Sequence, residues 1–123
     1  PAVRVPVPET EEVAPAPPAL HALLMRRAAQ MLSLGDVSGA RLLYARVAAA
    51  GVGAAATALG QTYDPNVLAR MGASSIVPDR AAAAALYRAA AAMGDPEADE
   101  RLRILEATPA PRRERTIEAG RTP

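Results

Sequence analysis

Cysteine, lysine, phenylalanine and tryptophan are all missing from this 123-residue chain, and its only aromatic residues are three tyrosines. Without thiols it has neither disulfides nor thiolate metal sites. A single histidine, His21, leaves no cluster of the usual catalytic side chains. A dominant charge sign is lacking too. The 14 cations, every one an arginine, stand against 13 carboxylates for a net charge of +1. A dedicated nucleic-acid binder carries a large field of one sign, so nucleic acid is not an expected partner. The longest uncharged run, Val47–Tyr63, has 17 residues and includes three glycines, Gln61 and two threonines. A bilayer-spanning helix needs about 20 strongly apolar residues, so this run is not a membrane span. No signal peptide is visible. No initiator methionine opens the chain, which reads as a processed product, a fragment or part of something longer.

What is abundant is alanine, at 31 residues, and proline, at 12. The prolines gather at the ends: Pro1, Pro6, Pro8, Pro15, Pro17 and Pro18, then Pro109, Pro111 and Pro123. Residues 1–18 read as a Pro/Ala-rich extended arm or linker, and residues 108–123 as an Arg/Pro-rich tail. Residues 19–107 read as one helical domain, with Pro18 able to start its first helix. The arm carries −2 and the tail +2, from Arg112, Arg113, Arg115 and Arg121 against Glu114 and Glu118. Three of those arginines lie close together, yet interrupted charges in a tail are most often simply solvated.

Helix punctuation divides the middle. Leu20, Leu23, Leu24, Ala28, Met31 and Leu32 form an apolar stripe for a helix ending near Leu34 and Gly35. Asp36 is the N-cap of a second helix, with Ala40, Leu43, Tyr44, Val47 and Ala48 on its inner face and Gly51 as left-handed terminator. Gly53 opens a third, running to about Tyr63. Asp64-Pro65 starts a short helix stopped by Gly72. Asp79 caps another over Arg80–Met93, closed by Gly94, and Asp95-Pro96 starts the last, to about Ala107. No stretch alternates with period two as a strand would. The fold class is all-α.

Laying Asp36–Leu59 over Asp79–Leu102 without a gap exposes an internal repeat of 43 residues. The identical pairs include Asp36/Asp79, Ala40/Ala83, Leu43/Leu86, Tyr44/Tyr87, Gly51/Gly94, Ala55/Ala98 and Leu59/Leu102. The physical meaning is a helix-turn-helix unit that buries its apolar face only against neighbours.

These residues resemble the SEL-one-like repeats within the tetratricopeptide-like helical solenoids. Ala55, Leu59, Gly60 and Tyr63 match the first half of that unit. Asp79, Ala83, Tyr87, Ala90, Ala91, Gly94, Ala98 and Leu102 match the second, with Leu86 replacing a tryptophan. Asp36–Gly51 is similar to the second half of a preceding unit, so the resemblance covers about residues 28–105 and about two repeats. It implies antiparallel helix pairs stacked as a short right-handed solenoid, with Leu43, Tyr44, Gly51, Leu59, Tyr63, Leu86, Tyr87, Gly94 and Leu102 packing the repeats. Asp64–Pro78 is longer than the family's turn and is the most individual surface of the chain.

Alanine and glycine let helices approach to about 8 Å. They also bury little apolar area per residue, so a two-repeat block is expected to be marginally stable alone, with its open end covered by further repeats or another protein.

Candidate chemistry is thin. Gly51-Val52-Gly53-Ala54-Ala55-Ala56 spells a dinucleotide-loop fingerprint, but that loop must follow a strand and this one follows a helix. Asp95, Glu97, Asp99 and Glu100 suit a helix start, pairing with Arg101 and Arg103. His21 reads as solvent-facing or partly packed. Tyr44 and Tyr87 read as packing between helices with their hydroxyls at the rim. No catalytic residue, cofactor or metal is expected.

The expected function is therefore a non-enzymatic protein–protein interaction module or scaffold, with Met71, Ser74, Ser75, Ile76 and Val77 of the long connection touching a protein partner or larger assembly. Ile76 and Val77 are its exposed apolar candidates. The rival reading is a structural or linker subunit of a larger, membrane-associated complex held by the extended arm, any membrane contact being indirect. Arginine without lysine suits a GC-rich bacterial source, and a spacer before a helical block tips the compartment slightly toward the periplasm.

Overall fold

The computed structural model describes residues 18–109; the N-terminal arm apart from Pro18, and the arginine-rich tail apart from Thr108 and Pro109, lie outside the described residues. Within them the chain forms α1 (Pro18–Ser33), α2 (Val37–Ala49), α3 (Gly53–Gln61), α4 (Pro65–Met71), α5 (Arg80–Ala92) and α6 (Pro96–Ala107), with no strand among the described residues. None of these helices is long and apolar enough to cross a membrane.

Four carboxylates start four helices. Asp36, Asp64, Asp79 and Asp95 accept from the backbone N–H of Gly39, Asn66, Ala82 and Glu97, satisfying donors that a helix leaves unpaired in its first turn. Pro65 and Pro96 sit at the first helical positions, where no N–H is needed. Gly51 and Gly94 end the pairs at φ +90° and +97°. A side chain there would meet nothing within 4 Å, so these two glycines serve the repeat through backbone conformation and not, as the sequence suggests, through packing. α3 stops at Gln61, two residues before the expected end. There Thr62 N–H and Tyr63 N–H bond three residues back, to Leu59 and Gly60, and tighten the chain out of the helix.

The packing order is α1, α2, α3, α5, α6, each helix lying on the next, with α6 also touching α3; α4 lies in the connection between α3 and α5. The core divides into two clusters. Ala28, Ala40, Tyr44 and Leu59 form one, backed by Met25, Met31, Leu32, Leu43 and Leu86. Ala56, Ala83, Tyr87, Ala90, Ala98 and Leu105 form the other, backed by Leu102. Tyr63 packs against both and joins them. Equivalent positions of the 43-residue repeat are buried alike: Ala40 with Ala83, Tyr44 with Tyr87, Val47 with Ala90, Ala55 with Ala98. Alanines set the distance between helices, and the tyrosine rings fill what they leave open.

The first helix departs from its expected stripe. Ala28 is its only fully buried residue, while Leu20 and Leu23 are exposed, because α1 is the end of the row and packs chiefly on α2. The inner face turns through Leu24, Met25, Ala28, Met31 and Leu32 instead.

Candidate functional site

The connection between α3 and α5 is where the two repeats differ, and it is tied down by polar contacts. Asp64 is buried and uses both carboxylate oxygens: Oδ1 accepts from Asn66 N–H at 2.8 Å, and Oδ2 accepts from the Tyr87 hydroxyl at 2.7 Å. One residue therefore starts α4 and pins it to the centre of α5. The Tyr87 hydroxyl is not at the rim, as the sequence reading has it, but in the interior. Tyr44, at the matching repeat position, has no carboxylate acting on it. The reason is the insertion itself, which supplies Asp64 to the second repeat alone.

Burial, and then the hydrogen bond to Asp64 and its charge, raise the Tyr87 pKa far above the ordinary tyrosine value. Burial alone raises that of Tyr44. Both shifts favour the protonated native chain, so their stability contribution is complete below pH 10 and falls above it, where the unfolded chain releases protons that the native chain retains. Unfolding free energy should drop by about 1.4 kcal/mol per pH unit for each retained proton. Urea titrations at stepped alkaline pH check this, and Tyr87→Phe should remove one proton's worth of the slope.

Two arginines tie off helix ends. Arg41 of α2 donates to the Thr62 hydroxyl at 3.1 Å and the Thr62 carbonyl at 2.7 Å, with its guanidinium 3.8 Å from the Tyr63 ring centroid. Arg80 of α5 donates to the carbonyls of Leu105 and Thr108. Leu105 lies 43 positions after Thr62, so the same carbonyl of the repeat is met by an arginine in both copies, from different turns of the preceding helix. A cation at a C-terminal carbonyl is favoured by the helix dipole. Asn66 adds a bond from its side-chain amide to the Thr108 hydroxyl at 3.1 Å, joining α4 to the end of α6.

Beside α4 lie two adjoining hollows of about 330 and 290 Å³. Gly72, Ala73 and Ile76 line both; the larger continues over Pro65, Leu68 and Pro78, the smaller over Leu32, Val37 and Met71. No lining residue carries a charge. Leu34 and Val77 are 84% and 82% exposed in the flanking turns, and Met71 is 44% exposed. Of the residues read from the sequence as partner-binding, Met71, Ser74, Ser75 and Val77 are exposed. Ile76 is not: it is half-buried and lines both hollows. Leu34, expected only to mark a helix end, is the most exposed large apolar residue described.

The dinucleotide-like glycines have a packing role. A Cβ on Gly53 would come within 3.1–3.2 Å of Asp95 Cβ, the Ala90 carbonyl and Met93 Cβ, so this glycine lets α3 approach the turn between α5 and α6. The acidic start of α6 pairs Glu97 with Arg101 at 3.2 Å and Glu100 with Arg103 on an exposed face. His21 is half-buried on α1. No family model matches the chain, and no curated protein or solved structure does.

Proposed function

We propose that this chain is a non-enzymatic protein-interaction module, a short right-handed stack of SEL-one-like helix pairs whose inserted α4 connection receives a protein partner. The observation that carries the reading is the pair of uncharged hollows beside Leu34, Met71 and Val77, in a chain where 22% of residues are charged. Exposed apolar side chains gathered round concave ground mark interaction sites, whereas single scattered ones do not. The 43-residue repetition of buried alanine and tyrosine supports the stacked arrangement.

Exchanging the whole connection for a short turn would also strip Tyr87 of Asp64, so the test works at single exposed sites. Photo-reactive residues at Met71 and Val77 are expected to capture the same protein in the source cell, and one at exposed Arg46 of α2 to capture none. With that partner purified, Val77→Asp should weaken binding about tenfold or more. Equal labelling from all three sites, or an unchanged affinity, contradicts the reading.

A further inference from the structure

The two helices at the ends of the packing order carry opposite charge. α1 has Arg26 and Arg27 and no carboxylate, a balance of +2; α6 has Glu97, Asp99, Glu100 and Glu106 against its own Arg101 and Arg103, a balance of −2, of which Glu106 is paired with Arg88 of α5 at 3.1 Å. Each also shows apolar side chains beside its charge. Leu20, Leu23 and Arg27 follow one another at three- and four-residue spacing on α1, and Glu97, Glu100 and Ile104 do so on α6, which places each set along one flank of its helix. Leu20, Leu23 and Ile104 are all more than a third exposed. Among the described residues Arg26 and Arg27 have no ion-pair partner. The pairs on α6 are exposed, worth about 0.2–1 kcal/mol each, and readily exchanged.

We infer that the α1 flank of one copy docks on the α6 flank of another, Leu20 and Leu23 against Ile104 and Arg27 beside Glu97 and Glu100. The occupant is a second copy because the complementary flanks belong to the two helices at opposite ends of the packing order, which do not pack substantially on each other. The contact is heterologous: each copy keeps a free α1 end and a free α6 end, so addition continues head to tail into open chains and does not close as a symmetric dimer. One helix flank on another buries less than the roughly 1,200 Å² of a stable interface, so association is weak, concentration-dependent and salt-sensitive. It uses a different face from the α4 connection, and neither proposal depends on the other.

Sedimentation velocity on the full chain tests it. At high micromolar protein and about 0.01 M salt, the weight-average mass should rise at least about twofold above the monomer's, returning to monomer at about 1 M salt, where the screening length is about 3 Å. Arg27→Glu and Glu100→Arg, both at exposed positions, should each keep the helical circular dichroism of the parent yet sediment as monomers. An equimolar mixture of the two should associate again, because the reversed end of one variant then faces the reversed end of the other and the remaining ends are those of the parent. A monomer under all conditions overturns the inference, as does a mixture that stays monomeric. Association abolished by Arg27→Glu but indifferent to Glu100→Arg also overturns it, since α1 would then be meeting another α1 or the chain's own acidic arm.

Discussion

Tyr87→Ala should leave the chain largely unfolded at room temperature. Removing a buried aromatic ring costs about 3–5 kcal/mol where the site cannot collapse, and the alanines around this ring have nothing to swing into the void. It also leaves one oxygen of a buried carboxylate without its donor. A domain with 5–15 kcal/mol in hand, this one near the lower end for want of large apolar side chains, does not survive that loss comfortably. Milder changes apportion it. Tyr87→Phe keeps the ring and gives up a bond to a charged group, about 1.5–3 kcal/mol. Asp64→Ala gives up the same bond and the cap of α4, the cap alone being worth about 1 kcal/mol. Both variants delete one shared contact, so the double variant should lose less than the sum of the two. Urea unfolding of the four proteins measures it, and strict additivity would show that the bond contributes nothing.

The second large effect is expected where the helices come closest. A Cβ on Gly60 would lie 2.8 and 2.9 Å from Cε1 and Cδ1 of the Tyr87 ring, and 3.3 Å from Leu86 Cβ. At an exposed helical site, glycine to alanine gains about 1 kcal/mol. Here α3 and α5 must part instead, and overpacking of this kind costs about 1–3 kcal/mol. Gly60→Ala should therefore lower the melting temperature, and Gly60→Val should lower it further. Combining Gly60→Ala with Tyr87→Leu, which withdraws the ring, should cost less than the two changes separately. A Gly60→Ala variant that melts higher than its parent would mean that the helices are not in contact there.

Local punctuation was the legible part of this fold. Asp36, Asp64, Asp79 and Asp95 cap as read, and Gly35, Gly51, Gly72 and Gly94 take positive φ, because capping and left-handed turns depend on residues within one turn of each other. The seven-residue α4 inside the long connection was legible for the same reason, through Asp64-Pro65 and Gly72. What depends on chain brought in from afar was not. Asp64 and Tyr87 are 23 residues apart, and nothing near either one marks the other as its partner. Nothing in the sequence singles out Arg41 or Arg80, since their carbonyl partners lie 21 to 28 residues along the chain. Leu20 and Leu23 misled in the opposite direction. Apolar periodicity marks a stripe, but whether a neighbour covers it depends on the helix's place in the row, and α1 comes first. At the candidate site the exposure of Met71 and Val77 followed from their position in a connection, while the half-burial of Ile76 required knowing that the segment folds back beside α4.

Alanine seams have a further consequence for how this chain tolerates genetic change. A truncation scan, the usual way to map an interior, passes over Ala28, Ala40, Ala55, Ala83, Ala90 and Ala98 unread, since each is already the residue the scan installs. Variation there can only enlarge the side chain or reduce it to glycine. Deleterious alleles should accordingly cluster among gains of volume, the reverse of the pattern in a leucine-rich domain, and a saturation library sorted on folding would trace the helix seams by the bulk each position rejects.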